Sequence, residues 1–572
     1  MNRREILVLI LAFTAALALR IYFIPAPGYE QDIVNFKDWS QAAVEEGVHN
    51  MYDPTPRNSQ FSYLYPPAYL YIQKAVGSFY KVFYPGFDEH TYLFDFAIKF
   101  PAILADILIS IGIFIFLRKK HPFNVSFLAM AAYAFNPVII LNSAYWGQVD
   151  SVTSLFILGA ILALVNDKFG WAWGLFTVGV LTKVQAGLLL PILVLITWKR
   201  KGLKTLFNSM AVSWCTFVLL LLPFFYLHKV DRLIDNFLQA VGEFPFLSLY
   251  AFNLWWLLSG GQGRWVSDSS SFFNLFSCRT AGTLLVGMFF VLLLRYLYYR
   301  EKDEGAIFLG SALAFFSFFM LSTEMHERFV LLAFAFLLLA AVKDRNLKVV
   351  YGTLSLTTFL SLIFVLFWTY PKNYPPLPPF WQSFPVGMII SLINMSLFLF
   401  VLYMLVKDIK IKYQGCFLAA IIVVVAGFYF LKPAHPAFLS DLAPKTYQQQ
   451  WGQLRMDHSV DGNRLKVHGF YYSKGLGTHA YSSIEYELGG RYRFLEGAVG
   501  LDDEANRDNK IEARIYADKR LIYKSGILQG RINPRYFRLN IAGAKVLRLV
   551  VTDGGDGINC DHGDWLLIRV LP

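Results

Sequence analysis

Cysteine is scarce. The 572 residues hold four, Cys215, Cys278, Cys416 and Cys560. None forms a CxxC pair and two fall in apolar runs, so neither a disulfide framework nor a cysteine zinc site organises the chain. Charge is also short: 16% of residues are Asp, Glu, Lys or Arg, against about 25% in a soluble globular chain. No GxxxxGK[ST] or GxGxxG loop occurs. That argues against an ATP-driven pump or a cytosolic nucleotide-sugar enzyme, and points to a substrate met within the membrane. No small-residue cleavage site follows the first apolar run, Ile6 to Ile24. The run therefore reads as a retained helix and not as a signal peptide.

What is present is apolar surface. The chain is 56% hydrophobic and 17% aromatic. Apolar runs recur at the ~17–25 residue length of a bilayer-crossing helix. About thirteen spans are expected, the first near 5–24, two abutting ones at 184–198 and 206–227, and the last near 414–431. With that count the clusters "MNRRE", "RKKH", "KRKGLK", "RYLYYREK", "KDRNLK" and "KDIKIK" all fall on one side. By the positive-inside rule that side, with the N-terminus, is cytoplasmic. The net charge of +12 is then accounted for without nucleic acid. The opposite, outer face collects the segment from Pro25 to about Leu93, "YWGQVDS", the loop 228–280, "STEMHERF" and "YPKNYPPLPPFWQSFP". The chain after Leu431 lies on that side too.

These outer segments carry the candidate chemistry. "DIVNFKDWSQAAVEEGV" has Ile33, Phe36, Trp39 and Ala43 at helical spacing, which predicts an amphipathic helix in the interface. Asp32, with Glu30 two residues earlier, is either a catalytic carboxylate at the membrane surface or a solvated loop acid capping that helix. "FSYLYPPAYLYIQ" places Tyr65 in a rigid aromatic segment, as an interfacial belt or as the wall of a groove for a lipid or sugar. "NPVIILNSAYWGQVDSVTSLF" sets Trp146, Gln148 and Asp150 at the outer tip of two apolar spans. Polar groups at that depth are functional by default, though Asp150 could simply cap the next helix. Lys183 in "TKVQAGLLLP" either snorkels to the interface or holds a phosphate. "STEMHERF" groups Glu324, His326, Glu327 and Arg328 between hydrophobic walls, which suits an anionic group. It offers one His and no second at metal-ligand spacing, so no metal is expected there. "KFPAILADILI" adds Lys99 and Asp106; an intramembrane Asp must be paired or face a cavity.

On the strings "EQDIVNFKDW", "YLYPPAYLY", "KFPAILADI", "NPVIILNSAYWGQVDS", "TKVQAGLLLP" and "MHERF", residues 1–431 resemble the GT-C glycosyltransferases. The nearest resemblance is to prokaryotic mannosyltransferases related to the GPI second-mannose enzyme. The resemblance implies a polytopic enzyme that uses a polyprenyl-phosphate sugar as donor, with a glycan, lipid or protein acceptor and membrane lipids around it. It implies an acid in the first outer loop as base: Asp32, with Glu30 as the fallback. It places Trp146, Gln148, Asp150, His326, Glu327 and Arg328 in the substrate cavity. Such a base would deprotonate the acceptor hydroxyl, Arg328 or Lys183 would stabilise the departing phosphate, and one displacement would invert the anomeric centre. No cofactor is required. The competing expectation is a transporter or flippase of lipid-linked sugars that displays a glycan-binding domain; the lack of a clear internal repeat disfavours it.

Composition changes after "LKPAHPAFLSDLAP". Residues 432–444 read as a linker. Residues 445–572 are polar and Gly-rich, with alternating stretches such as "KIEARIYAD" and "KVLRLVVTD", which predict an all-β sandwich. On "SKGLGTHAYSSIEYEL", "GAVGLDDE", "IYADKRLIYKSG" and "LRLVVTDGGDGINCDHGDW" this segment resembles the NPCBM domain, a carbohydrate-binding jelly roll. Candidate glycan contacts are His479, Asp502, Asp503, Asp561, His562 and Trp565. The competing reading makes the Asp residues turn-setters and Trp565 core. "GLDDE" and "DGGDG" also raise a structural Ca2+ held by oxygen ligands.

Overall fold

The computed structural model describes all residues except 54–62, 64, 89–90, 241–244, 262, 273–275, 370–384, 409–436, 507, 531, 533 and 572. The expected span near 414–431 and the "YPKNYPPLPPFWQSFP" loop lie almost wholly outside the described residues. The chain divides into two compact units, Met1–Val423 and Val424–Pro572.

The first unit is helical. Helix α1 (Arg3–Phe23) starts at a capping box in which Asn2 and Glu5 satisfy each other's backbone N–H. Amphipathic α2 (Glu30–Glu45) follows, then α3 (Pro67–Phe83), which opens on a proline at its first position, and α4 (Tyr92–Arg118). Helix α5 (Phe123–Ala134) is bent by 41° from the run Pro137–Trp146, which starts as α6 (Pro137–Ile140). Next come α7 (Asp150–Val165) and α8 (Phe169–Thr182). The stretch Val184–Tyr226 is one helical run, most of it α9 (Leu190–Tyr226), broken at Gly202. Gly202 has φ +78, a left-handed value that favours glycine, so the two abutting expected spans join end to end at a bend.

Seven helices among the described residues are long and apolar enough to cross a membrane, or eight if the bent pair counts as one span. Three shorter apolar helices, Asp150–Val165, Phe169–Thr182 and Phe329–Ala341, add to them. The expected count of about thirteen is therefore not reproduced as thirteen full-length spans. Several of the apolar segments are too short to cross alone. Large apolar side chains such as Leu11, Leu219 and Val291 are exposed along these helices; a unit with that much apolar surface on its flanks is built for lipid.

Two buried charges tie this unit together. Arg20, the single charge of the first apolar run, donates to Asp106 at 3.2 Å and to the Ala134 carbonyl at 2.9 Å. Ser143 also donates to Asp106, at 2.5 Å, so the intramembrane Asp is paired. The Lys99 ammonium donates to the carbonyls of Ile24, Ala26 and Tyr145 at 2.8, 2.8 and 3.0 Å. It thereby pins the chain leaving α1 against the segment that carries Trp146.

The second unit is antiparallel β. Strands are numbered through the chain from a short hairpin of the first unit, β1 (Ser271–Phe272) and β2 (Phe276–Ser277). The sandwich uses β3 (Ala437–Phe438), β4 (Thr446–Gln449), β5 (Arg455–Met456), β6 (Lys466–Val467), β7 (Phe470–Tyr471), β8 (Gly475–His479) and β9 (Ser482–Glu487). It continues with β10 (Phe494–Leu501), β11 (Lys510–Ala517), β12 (Arg520–Gln529), β13 (Arg535–Asn540), β14 (Val546–Thr552) and β15 (His562–Leu571). One sheet runs β13-β10-β15-β8-β5, with β3 also paired to β15; the other runs β12-β11-β14-β9-β4. Alternate residues of both sheets, among them Ile484, Ile515, Leu549, Val499 and Ile568, share one core. That makes the unit a sandwich. Strand β3 lies inside 432–444, so part of the expected linker is sheet.

Candidate functional site

Residues from four separate stretches of the helical unit meet at Asp32. The carboxylate sits in the first turn of α2. Its Oδ2 accepts the indole N–H of Trp146 at 2.9 Å and the side-chain amide of Gln148 at 2.5 Å. The Trp146 ring is stacked on Tyr29, with centroids 5.3 Å apart and planes at 9°. The Arg328 guanidinium lies 5.6 Å from the Trp146 ring centroid. Two glycines permit this approach. Gly28 (φ +59) would place a Cβ 2.7 Å from the Tyr145 carbonyl oxygen, and Gly147 (φ +84) would place one 3.1 Å from both Ile33 and Lys99.

Arg328 is the electrostatic hub. Its Nη1 lies 3.0 Å from Glu327 Oε1 and its Nε 3.9 Å from Asp150 Oδ2. It also contacts the Tyr65 hydroxyl. Asp150 in turn pairs with the ammonium of Lys183, which lies 4.5 Å over the Phe329 ring. Lys183 is thus engaged by a carboxylate and an aromatic face; of its two expected roles, free snorkelling is excluded. His326 Nδ1 sits 3.7 Å from Glu327 Oε2. The strip that presents these groups is held by backbone bonds from Leu249 N–H to the Met325 carbonyl, 2.8 Å, and from Glu324 N–H to the Phe246 carbonyl, 2.9 Å. Glu324 itself turns to Arg279, so "STEMHERF" contributes three ionisable groups to the site and not four.

Burial raises the Asp32 pKa, while Arg328 and the hydrogen bonds from Trp146 and Gln148 pull it back. Burial likewise raises Tyr65 and Tyr29. Burial lowers Lys183 against its Asp150 partner, and lowers His326 against Glu327. For Glu327 burial is outweighed by His326 and Arg328, and the carboxyl is held low. The result is a carboxylate with two neutral donors and a cation beside it, the kind of perturbed environment in which functional carboxylates occur. Glu30 is exposed in the same turn. The stacking of Tyr29 went unread in the sequence; a lone aromatic three residues before the acid carries no signal of its partner.

In the sandwich unit the structure separates the six candidates. Trp565 is fully buried, edge-on to Phe537, so it is core and not a glycan platform. It faces inward because its strand continues the sheet that the Gly-Asp run only seemed to interrupt. Asp503 accepts backbone N–H groups of His468 and Gly469, both at 2.8 Å, and Asp502 those of Glu504 and Lys466 at 2.8 and 3.2 Å. Each of these carboxylate oxygens is committed to a turn, which does not fit the Ca2+ cage raised for "GLDDE". Asp561 is buried against the Asn509 amide at 3.2 Å. His479 and His562 do come together, rings 5.5 Å apart. Trp451 joins them, 5.1 Å from His479 and stacked on His562 at 5.8 Å and 15°. Trp451 is 51% exposed. It was missed in the sequence, although a lone Trp in a polar run, "QQQWGQ", was the available signal.

A helical unit with several membrane-length apolar segments is therefore followed by an antiparallel β-sandwich. Residues 435–571 match the NPCBM/NEW2 domain family. This region is 30% identical over 122 residues to Alpha-1,3-galactosidase B of Akkermansia muciniphila, a stretch that is 21% of this chain and 15% of that protein. The chain thus spans less than a fifth of that curated relative. Among solved structures, a CBM51 module from Clostridium perfringens in complex with methyl-galactose is 36% identical, covering 24% of this chain and 99% of the module, with a TM-score of 0.23. The arabinosyltransferase EmbB from Mycobacterium smegmatis is 11% identical over 97% of this chain and 64% of its own length, with a TM-score of 0.29.

Proposed function

We propose that the helical unit is a membrane glycosyltransferase that moves a hexose, with mannose the first candidate, from a polyprenyl-phosphate donor to an acceptor hydroxyl on the outer face. The observation that carries this reading is the seating of the Asp32 carboxylate between Trp146 and Gln148 with Arg328 alongside. A carboxylate whose proton affinity is raised by burial can accept the acceptor's proton, while an adjacent guanidinium balances charge on the departing phosphate. The nucleophilic hydroxyl gains the sugar, its proton goes to Asp32, and the lipid phosphate leaves with the bonding electrons. One such displacement inverts the anomeric centre. Glu327 and Asp150 hold Arg328 in place, Lys183 pairs with Asp150 as a second cation available to the phosphate, His326 lies beside Glu327, and Tyr65 supplies part of the aromatic wall.

The test uses purified full-length protein, a labelled polyprenyl-phosphate sugar and a panel of glycan, lipid and peptide acceptors. Loss of a positioned base removes about 10²–10⁴-fold of rate. Asp32→Asn is expected to lose that much with unchanged thermal unfolding, and Glu30→Gln to stay within a few-fold of wild type. The opposite pattern, or direct consumption of a nucleoside-diphosphate sugar, overturns the reading.

The sandwich is proposed to hold glycan near the enzyme. The exposed Trp451 ring beside His479 and His562 offers a flat apolar face with polar edges, which suits stacking on a pyranose. The methyl-galactose bound by the Clostridium perfringens module makes galactose the first ligand to try.

A further inference from the structure

The stacking platform proposed for the sandwich leaves one ring nitrogen of His562 unassigned. His562 Nδ1 has no hydrogen-bond partner although the residue is only 6% exposed. Asp461 Oδ2 lies 3.7 Å from it and Glu504 Oε2 3.9 Å. The three atoms all fall within 4.8 Å of one another. Neither carboxylate is close enough for a hydrogen bond from an imidazolium. In the tautomer that carries its proton on Nε2, His562 Nδ1 is a third acceptor beside the two carboxylate oxygens. A sugar hydroxyl has one proton and can serve one of them at a time. A cation serves all three.

We propose that His562, Asp461 and Glu504 bind a divalent cation of the zinc class. Donors about 2.1 Å from a tetrahedral ion stand about 3.4 Å apart, so the two separations from His562, 3.7 and 3.9 Å, lie within about half an ångström of that spacing. One imidazole with two carboxylates selects zinc, cobalt or manganese over calcium, which takes an all-oxygen shell. The supports are already in place, as a metal site requires. Ser459 Oγ donates to Glu504 Oε2 at 2.8 Å, and Glu504 N–H is anchored on Asp502 at 2.8 Å. Asp461 sits in a turn closed by Gly462 N–H on the Ser459 carbonyl at 2.9 Å, and Gly462 adopts φ +92. Trp451 covers the face of the His562 ring and leaves the in-plane nitrogen to the ion. A fourth position remains for water or a glycan hydroxyl. The site is independent of the transferase reading, because the titration that tests it needs neither donor nor acceptor.

Full-length protein stripped with chelator is titrated with ZnCl2 and, separately, CaCl2 by calorimetry, with CoCl2 absorbance as a second readout. The expected result is one saturable zinc per chain, at least tenfold weaker in both Asp461→Asn and His562→Gln, with calcium unable to displace it. Asp461 lies on an exposed turn, so its variant keeps the metal-free unfolding temperature of wild type. The proposal fails if no saturable zinc binds, if Asp461→Asn keeps wild-type affinity, or if calcium competes equally. It also fails if metal-free protein binds methyl-galactose through His562 and takes up no zinc; the cluster is then a sugar-hydroxyl site.

Discussion

Replacing Trp146 by Phe isolates one hydrogen bond at the centre of the proposed mechanism. Phenylalanine keeps a ring against Tyr29 and Arg328 but removes the N–H that donates to Asp32 at 2.9 Å. A hydrogen bond to a charged group contributes about 1.5–3 kcal/mol, and one pKa unit corresponds to about 1.4 kcal/mol. The lost bond favoured the ionised form, so its removal raises the Asp32 pKa by about 1–2 units, on top of the elevation that burial already imposes. The base works ionised. Activity is therefore retained above the folded pKa and lost as pH falls through it, and the variant loses it at higher pH than wild type. Sugar transfer measured from about pH 5 to 9 should show the acid limb displaced upward by about 1–2 pH units. At a pH on the acid limb the rate should fall about tenfold or more, with the alkaline plateau within a few-fold of wild type. An unmoved limb refutes the coupling between Trp146 and the base. A uniform loss at every pH refutes it differently, by making Trp146 a substrate contact alone.

Removing one partner of the buried Arg20–Asp106 pair with Arg20→Met leaves an uncompensated charge; a cost of about 3–5 kcal/mol should appear as a lower unfolding temperature in detergent, largely restored by Arg20→Met with Asp106→Leu. Trp451→Ala should leave thermal unfolding of the sandwich unchanged and abolish retention on galactose-bearing supports. Trp565→Ala, made in the core beside Phe537, should destabilise the same unit by about 3–5 kcal/mol, read by calorimetry.

The apolar helices were legible because hydropathy is local: the segment expected near 5–24 emerges as Arg3–Phe23. Which short segments cross alone was not legible, since a break such as Gly202 changes the path without changing the composition. The site residues were legible as separate strings, but not their partnerships. Trp146 donates to an acid 114 positions away, and no periodicity encodes that. Lys183 read as a candidate phosphate ligand because its partner, Asp150, lies 33 residues earlier at the end of another helix. In the sandwich, the Gly-Asp turns of "DGGDGINCDHGDW" carry no signal of where the next strand begins. The last four residues of that string open β15, so His562 and Trp565 sit on opposite faces of a strand, one toward Trp451 and the other into the core.

The choice between the two acids of "EQD" turns on helix geometry. In an α-helix each residue advances about 100°, so Glu30 and Asp32 point about 200° apart and cannot both face Trp146. An extended loop would have placed both acids on one side, since residues two apart share a face there. The segment is helical from Glu30, and the register that buries Ile33, Phe36 and Trp39 turns Asp32 toward the indole and leaves Glu30 exposed. The apolar stripe that seats the helix is therefore also what selects the acid. A change that shifted the stripe by two residues would bring Glu30 to the place Asp32 now takes without altering either acid.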